Sequence, residues 1–194
     1  VDAGCEYGYY ASDITRTFPV NGRFSPPQRE LYELVLEAQA AALNQVKPGS
    51  SWKNIHQAAV NSITKGLMNM NILRGQTNTL AQLISTKQYK QFYMHGTGHW
   101  LGLDVHDVGS YKFNKKWHIL EPGNCLTIEP GIYIAPNARV HRRWRGIGIR
   151  IEDDVVVTDK GYEILSAAVP KTTIDRKGTS DIRSIIAILT TSIY

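Results

Sequence analysis

Apolar and polar positions alternate with a period of two near the start of this chain, then follow a helical period, then return to strand-like alternation. From Ser12 to Phe18 (SDITRTF), Asp13, Thr15 and Thr17 fall on one face and Ile14, Arg16 and Phe18 on the other. Asp2 precedes the Gly/Tyr-rich stretch CEYGYYA, so residues 1–18 read as a hairpin that sets Asp2 beside Asp13. Ser25, Pro26 and Gln28 then open a helix, with Ser as N-cap, Pro in the first turn and Gln completing a capping box. Its apolar stripe is Leu31, Leu34, Val35, Ala38 and Ala42, and Lys47-Pro48-Gly49 stops it. A second helix is predicted from Ser51 to about Leu67, with Trp52, Ile55, Ala59 and Ile63 at helical spacing. Residues 74–92 are polar and weakly periodic, leaving room for a short helix around Leu80 to Tyr89. From His95 onward the chain is strand-rich with Gly punctuation and ends its patterned part in GIGIRIEDDVVVTDKGYEIL.

The strand pattern places chemistry. Ile147, Ile149 and Ile151 alternate with Gly148, Arg150 and Glu152, so one strand from Gly146 to Asp153 would present Arg150 beside Glu152. An inward glutamate needs partners, and a metal ion supplies one. Thr127 and Glu129 likewise share a face opposite Ile128. In HGTGHWLGLDVHD, His95, His99 and His106 lie within twelve residues. The four-residue spacing of His95 and His99 imitates a helical zinc pair, but Gly96 and Gly98 argue against a helix there. One metal ligand with two histidines for the substrate or the surroundings of the ligands fits better. His56, inside the second helix, reads as an isolated surface or packing histidine. Asp2, Asp13, His99, Glu129 and Glu152 then form an oxygen-rich donor set suited to paired Mn, Co, Fe or Zn ions rather than to a structural zinc. Two such ions about 3.5–4 Å apart would make a metal-dependent hydrolase.

Composition narrows the class. At 194 residues, with 42% hydrophobic and 20% charged, the chain can build one ordinary globular core. No secretory signal is visible, and Ile185 to Leu189 is too short an apolar run to cross a membrane. Cys5 and Cys125 read as reduced packing thiols of a cytoplasmic protein. The net charge of +5 is concentrated in RVHRRWR, residues 139–145, which reads as a solvated hairpin loop and not a nucleic-acid surface.

Four stretches carry a family resemblance: VDAGCEYGYYASDITRTFPVNGRF, YMHGTGHWLGLDVHDVG, LEPGNCLTIEPGIYI and WRGIGIRIEDDVVVT. Together they resemble the C-terminal catalytic domain of the Xaa-Pro aminopeptidases (aminopeptidase P), within the pita-bread metallopeptidases. The resemblance implies an α+β pita-bread fold, a curved antiparallel sheet with helices on its outer face. It implies that Asp13 and Glu152 bridge two divalent ions, Mn first with Co, Zn or Fe as alternatives, with Asp2 completing one ion and His99 and Glu129 the other. Glu129 would also shuttle a proton to the leaving nitrogen, and His95 and His106 would bind substrate and stabilise the oxyanion, with Tyr133 and Arg150 supporting the ligands. The substrates implied are peptides with proline in second position, cleaved by a homo-oligomeric protein without nucleic-acid or membrane partners. A prolidase acting on Xaa-Pro dipeptides is the alternative within enzymes. A non-catalytic binding module would require lost ligands, and all five ligand positions are filled. The family normally carries a further N-terminal domain and begins its catalytic domain upstream of Asp2. Residues 1–170 are therefore expected to be an N-terminally truncated catalytic domain and 171–194 an atypical tail.

Overall fold

The computed structural model describes residues 1–73 and 79–173. The chain opens with β1 (Asp2–Ala3), β2 (Glu6–Tyr7), β3 (Tyr10–Ala11) and β4 (Ile14–Thr15). β1 pairs antiparallel with β4, placing Asp2 opposite Thr15, so the expected hairpin exists. Between them β2 and β3 form a tighter hairpin. Gly8 and Tyr9 at its tip take φ 57° and 71°, the two left-handed residues that a primed two-residue turn needs to match strand twist.

Two long helices follow, α1 (Pro26–Leu43) and α2 (Trp52–Asn69), starting where the caps predict. The Ser25 N–H donates to Gln28 Oε1 at 2.9 Å, as a capping box requires. The helices pack on each other. Leu31, Val35, Ala38, Ile55, Ala59, Ile63 and Leu67 are fully buried in the core they share with the strands. Each large aliphatic among them contributes about 1.5–3 kcal/mol of burial. The third helix, α3 (Leu80–Ser85), is shorter than the pattern suggests. Lys87 turns left-handed at φ 56° and a 3₁₀ turn over Gln88–Gln91 replaces the last helical turn.

The remaining strands are β5 (Lys112–Phe113), β6 (Lys116–Trp117), β7 (Cys125–Ile128), β8 (Gly131–Tyr133), β9 (Gly148–Arg150), β10 (Asp153–Thr158) and β11 (Gly161–Ile164). β7, β10 and β11 form an antiparallel sheet in the order β11-β10-β7, while β8 pairs antiparallel with β9. The single strand expected from Gly146 to Asp153 is therefore two. Ile128 faces Asp153 and Gly131 faces Arg150, so one antiparallel ribbon is interrupted at the same level on both sides. Pro130, which has no N–H to donate, sits at that interruption. Glu129 and Glu152 occupy the two facing gaps. α1 packs against β7, β8 and β9, and its buried Gln39 covers the break. Gln39 Nε2 donates to the carbonyls of Ile128 at 3.2 Å and Ile151 at 3.3 Å, the residues preceding each glutamate.

The basic stretch 139–145 connects β8 to β9 as the expected loop, with Arg139, His141, Arg142, Arg143 and Arg145 all exposed, but one of its residues is built into the core. Trp144 is 1% exposed and anchors a 3₁₀ turn. Arg143 lies over its ring at 4.2 Å and pairs with Glu30 of α1 at 3.6 Å. At the other end of the chain, Lys171 pairs with Asp153 and donates to Gln39 Oε1 at 3.0 Å, tying residues just past 170 to α1 and β10. The expected apolar tail segment lies outside the described residues. Among the described residues no helix is long and apolar enough to cross a membrane.

Candidate metal centre

The hairpin β1–β4, the His95–His99 loop and the ribbon break converge on one point. Three overlapping groups there have ligand atoms all within 4.8 Å of one another: Asp2, Asp13 and Glu152; His99, Glu129 and Glu152; and Asp13, His99 and His106. All five residues read from the sequence as ligands are thus brought together, with Glu152 common to two groups and His99 and Asp13 each common to two. His99 Nε2 lies 3.2 Å from Asp13, 3.7 Å from Glu129 and 3.9 Å from Glu152. Its other nitrogen, Nδ1, donates to the Trp100 carbonyl at 2.9 Å, so Nε2 is the atom turned to the carboxylates.

Backbone pairing holds His99 against β7. Thr127 N–H donates to the His99 carbonyl at 2.9 Å, and His99 N–H to Thr127 Oγ1 at 3.1 Å. The approach is close enough to require glycine beside it: a Cβ on Gly98 would stand 1.8 Å from the Thr127 carbonyl oxygen. The alternation read at Asp13, Thr15 and Thr17 is also realised. Thr15 Oγ1 donates to Glu152 Oε2 at 2.7 Å, and Thr17 Oγ1 donates to the Arg150 carbonyl at 2.9 Å. Arg150 pairs with Asp2 and donates from Nε to Thr15 Oγ1 at 3.1 Å, so one guanidinium steadies Asp2 directly and Glu152 through Thr15.

The donor set fits divalent cations. Glu152 is 2% exposed, and its Oε1 is buried with no hydrogen-bond partner among the described residues. Burial, then repulsion from Glu129, pushes Glu152 up to about 8, and burial pushes Glu129 up to about 7 against the pull of His99 and Arg150. Burial opposes charge on His99 as well, yet its bond to Asp13 and the surrounding carboxylates raise it to about 9. A divalent ion here would compete with the protons that burial favours on these carboxylates and would answer the orphaned oxygen.

His95 sits beside the ligands with Nε2 accepting from the Tyr133 hydroxyl at 2.8 Å. His106 is exposed and meets the His99 ring edge-on at 4.4 Å. Its presence in a possible ligand group departs from the sequence reading, which left His99 as the one ligand of this loop. His56 is not isolated: its Nδ1 lies 2.8 Å from Thr97 Oγ1, behind the His95 loop. Sequence reasoning also missed Asp154, whose carboxylate accepts the Asp13 N–H at 3.1 Å from inside the protein. The only signal for it was the acidic run Glu152-Asp153-Asp154. Arg16, placed on the hairpin's apolar face, is 1% exposed and pairs with Asp153 at 2.8 Å.

The geometry is that of a carboxylate-rich divalent-metal centre in an α+β frame. Residues 1–159 match the family described as Metallopeptidase family M24. The chain is 56% identical over 171 residues to Xaa-Pro aminopeptidase of Haemophilus influenzae, covering 88% of this chain and 39% of that protein. It is 52% identical to Xaa-Pro aminopeptidase of Escherichia coli over 88% of this chain and 38% of that protein. The structure of Pseudomonas aeruginosa aminopeptidase PepP superposes with a TM-score of 0.86 at 53% identity, covering 98% of this chain and 41% of that one. The chain belongs to metallopeptidase family M24, whose members use divalent metals, and it has the pita-bread fold of aminopeptidase P. It spans about two fifths of the length of these relatives.

Proposed function

We propose that this chain carries the dinuclear metal centre of an Xaa-Pro aminopeptidase, which hydrolyses the bond between an N-terminal residue and a following proline. The observation that carries the reading is Glu152, a buried carboxylate shared by two groups of candidate ligands, with one oxygen left without a partner among the described residues. In this reading Asp13 and Glu152 would be shared by the two ions, Asp2 would complete the donor set of one, and His99 and Glu129 that of the other. Two divalent ions, manganese first among them because carboxylates dominate the donors, would polarise the scissile carbonyl and lower the pKa of a bound water.

The chain's own residues supply the rest. Glu129 is half-buried at the ribbon break and its affinity for a proton is raised by burial. It can take the proton released by the attacking water and deliver it to the proline nitrogen as the C–N bond breaks. His106, exposed with its ring against His99, would donate to the developing oxyanion. His95, held by Tyr133, binds the peptide. Arg150 keeps Asp2 and Thr15 in place without entering the chemistry. The relatives' names favour this activity over that of a prolidase. Two unpaired cysteines support a reducing compartment, the cytoplasm, and the resemblance supports a homo-oligomer. The test is hydrolysis of an Xaa-Pro tripeptide against an Xaa-Pro dipeptide by the purified manganese-loaded protein. The reading requires the tripeptide to be cleaved, and cleavage of the dipeptide alone would replace it with a prolidase.

A further inference from the structure

A buried hydroxyl outside the ligand set joins two parts of this site. Thr97 Oγ1 lies 2.6 Å from the Tyr93 hydroxyl and 2.8 Å from His56 Nδ1. Tyr93 is fully buried and Thr97 is 2% exposed, so these bonds do not compete with bulk water. One direction satisfies all three groups: the Tyr93 O–H donates to Thr97, and the Thr97 O–H donates to the lone pair of His56 Nδ1. The reverse direction leaves the phenolic hydrogen without an acceptor. Burial, then the charges of Lys90 and His95, hold His56 below its ordinary value, in keeping with a neutral ring that accepts at Nδ1.

The Tyr93–Thr97 bond closes a loop of five residues with His95 in its middle. The His95 ring stands edge-on to the Tyr93 ring at 5.1 Å and 85°. Its Nδ1–H donates to the Gly96 carbonyl at 2.6 Å, which leaves Nε2 to accept from Tyr133 at 2.8 Å. On the far side of the same residue, the Thr97 carbonyl accepts the Glu129 N–H at 2.8 Å. One residue therefore sets both the loop that presents His95 and the backbone that presents Glu129.

We propose that Thr97, anchored by Tyr93 and His56, is a positioning residue that aligns His95 and Glu129 for turnover while touching neither metal nor substrate. The inference rests on the peptidase reading above. Removing the hydroxyl loosens the loop that presents His95 and, through the Thr97 backbone, the approach of Glu129, while all five ligand side chains are retained. Thr97→Val keeps the shape and the backbone bond to Glu129 but removes the hydroxyl's bonds to Tyr93 and His56, and Thr97→Ser keeps the hydroxyl. In the manganese-loaded protein, Thr97→Val is expected to lower kcat by about tenfold or more. KM for an Xaa-Pro tripeptide and manganese content should stay within about twofold of wild type. Thr97→Ser should recover most of the lost kcat, and His56→Ala should lower kcat in the same direction as Thr97→Val. If Thr97→Val does not fold, Tyr93→Phe, which removes one hydroxyl and adds nothing, makes the same comparison. Wild-type kcat in Thr97→Val, or a Thr97→Ser variant as slow as Thr97→Val, would overturn the proposal. If the wild-type protein leaves the peptide intact, the peptidase reading fails instead. Ring ¹⁵N signals of His56 and His95 then decide: both must move in Thr97→Val, and unmoved signals overturn the positioning role.

Discussion

At the scale of single residues, the site depends on a few side chains whose neighbours force their roles. Glu152 has one oxygen held by Thr15 and the other without a partner among the described residues, close to Glu129 and Asp13. Asp13→Ala or Glu152→Ala should therefore remove a shared ligand, release both metals and abolish turnover, and near-normal activity in either variant would contradict the assignment. The histidines of the loop should separate. His99→Ala is expected to lose metal, whereas His106→Ala should keep it and lose roughly 10²–10³ in turnover, as for an oxyanion donor. Metal analysis of the two purified variants distinguishes ligand from donor, and the opposite pattern would exchange their roles. His56 gives a pH dependence of stability. Its folded value lies below the ordinary 6.5, so the unfolded chain binds the proton more tightly. Its contribution is present above about pH 6.5 and is lost as pH falls through the folded value. The melting temperature of metal-free wild type should therefore drop more between pH 7 and pH 5 than that of His56→Gln. Equal drops would show that burial of His56 is not linked to folding.

At the scale of elements, much of the site was legible because strand alternation and caps are local signals. The Asp2–Asp13 hairpin, the Ser25 and Ser51 helix starts and the facing of Asp13, Thr15 and Thr17 all follow from periodicity. The ribbon break was not legible. Ile147 to Glu152 alternates without a flaw, and what ends β9 at Arg150 is a partner strand interrupted at Glu129-Pro130, a residue pair some twenty positions upstream. The partners of His56, Gln39 and Asp154 were hidden for the same reason, since each bonds a segment far away in sequence. Gln39 makes this testable. Gln39→Leu leaves the Ile128 and Ile151 carbonyls and the Lys171 ammonium without their buried partner. It should cost about 1–3 kcal/mol of stability. Because both carbonyls precede a ligand, manganese affinity should fall as well. A variant with wild-type melting and affinity would show that α1 packs on the break without setting it.

At the scale of the whole molecule, a chain of net charge +5 concentrates Asp2, Asp13, Glu129 and Glu152 at one point where three segments meet. α1 backs the strands on the side of Gln39, and the β1–β4 hairpin brings Asp2 to the site. Such a gathering of carboxylates is costly unless cations occupy it. The most direct measurement is a titration of manganese into chelator-stripped protein, following ions bound per chain and tripeptide hydrolysis together. A dinuclear centre requires no hydrolysis in the stripped protein and activity that rises to its plateau as two ions bind. Hydrolysis that survives complete stripping, or a plateau reached with no ion bound at this centre, would contradict it.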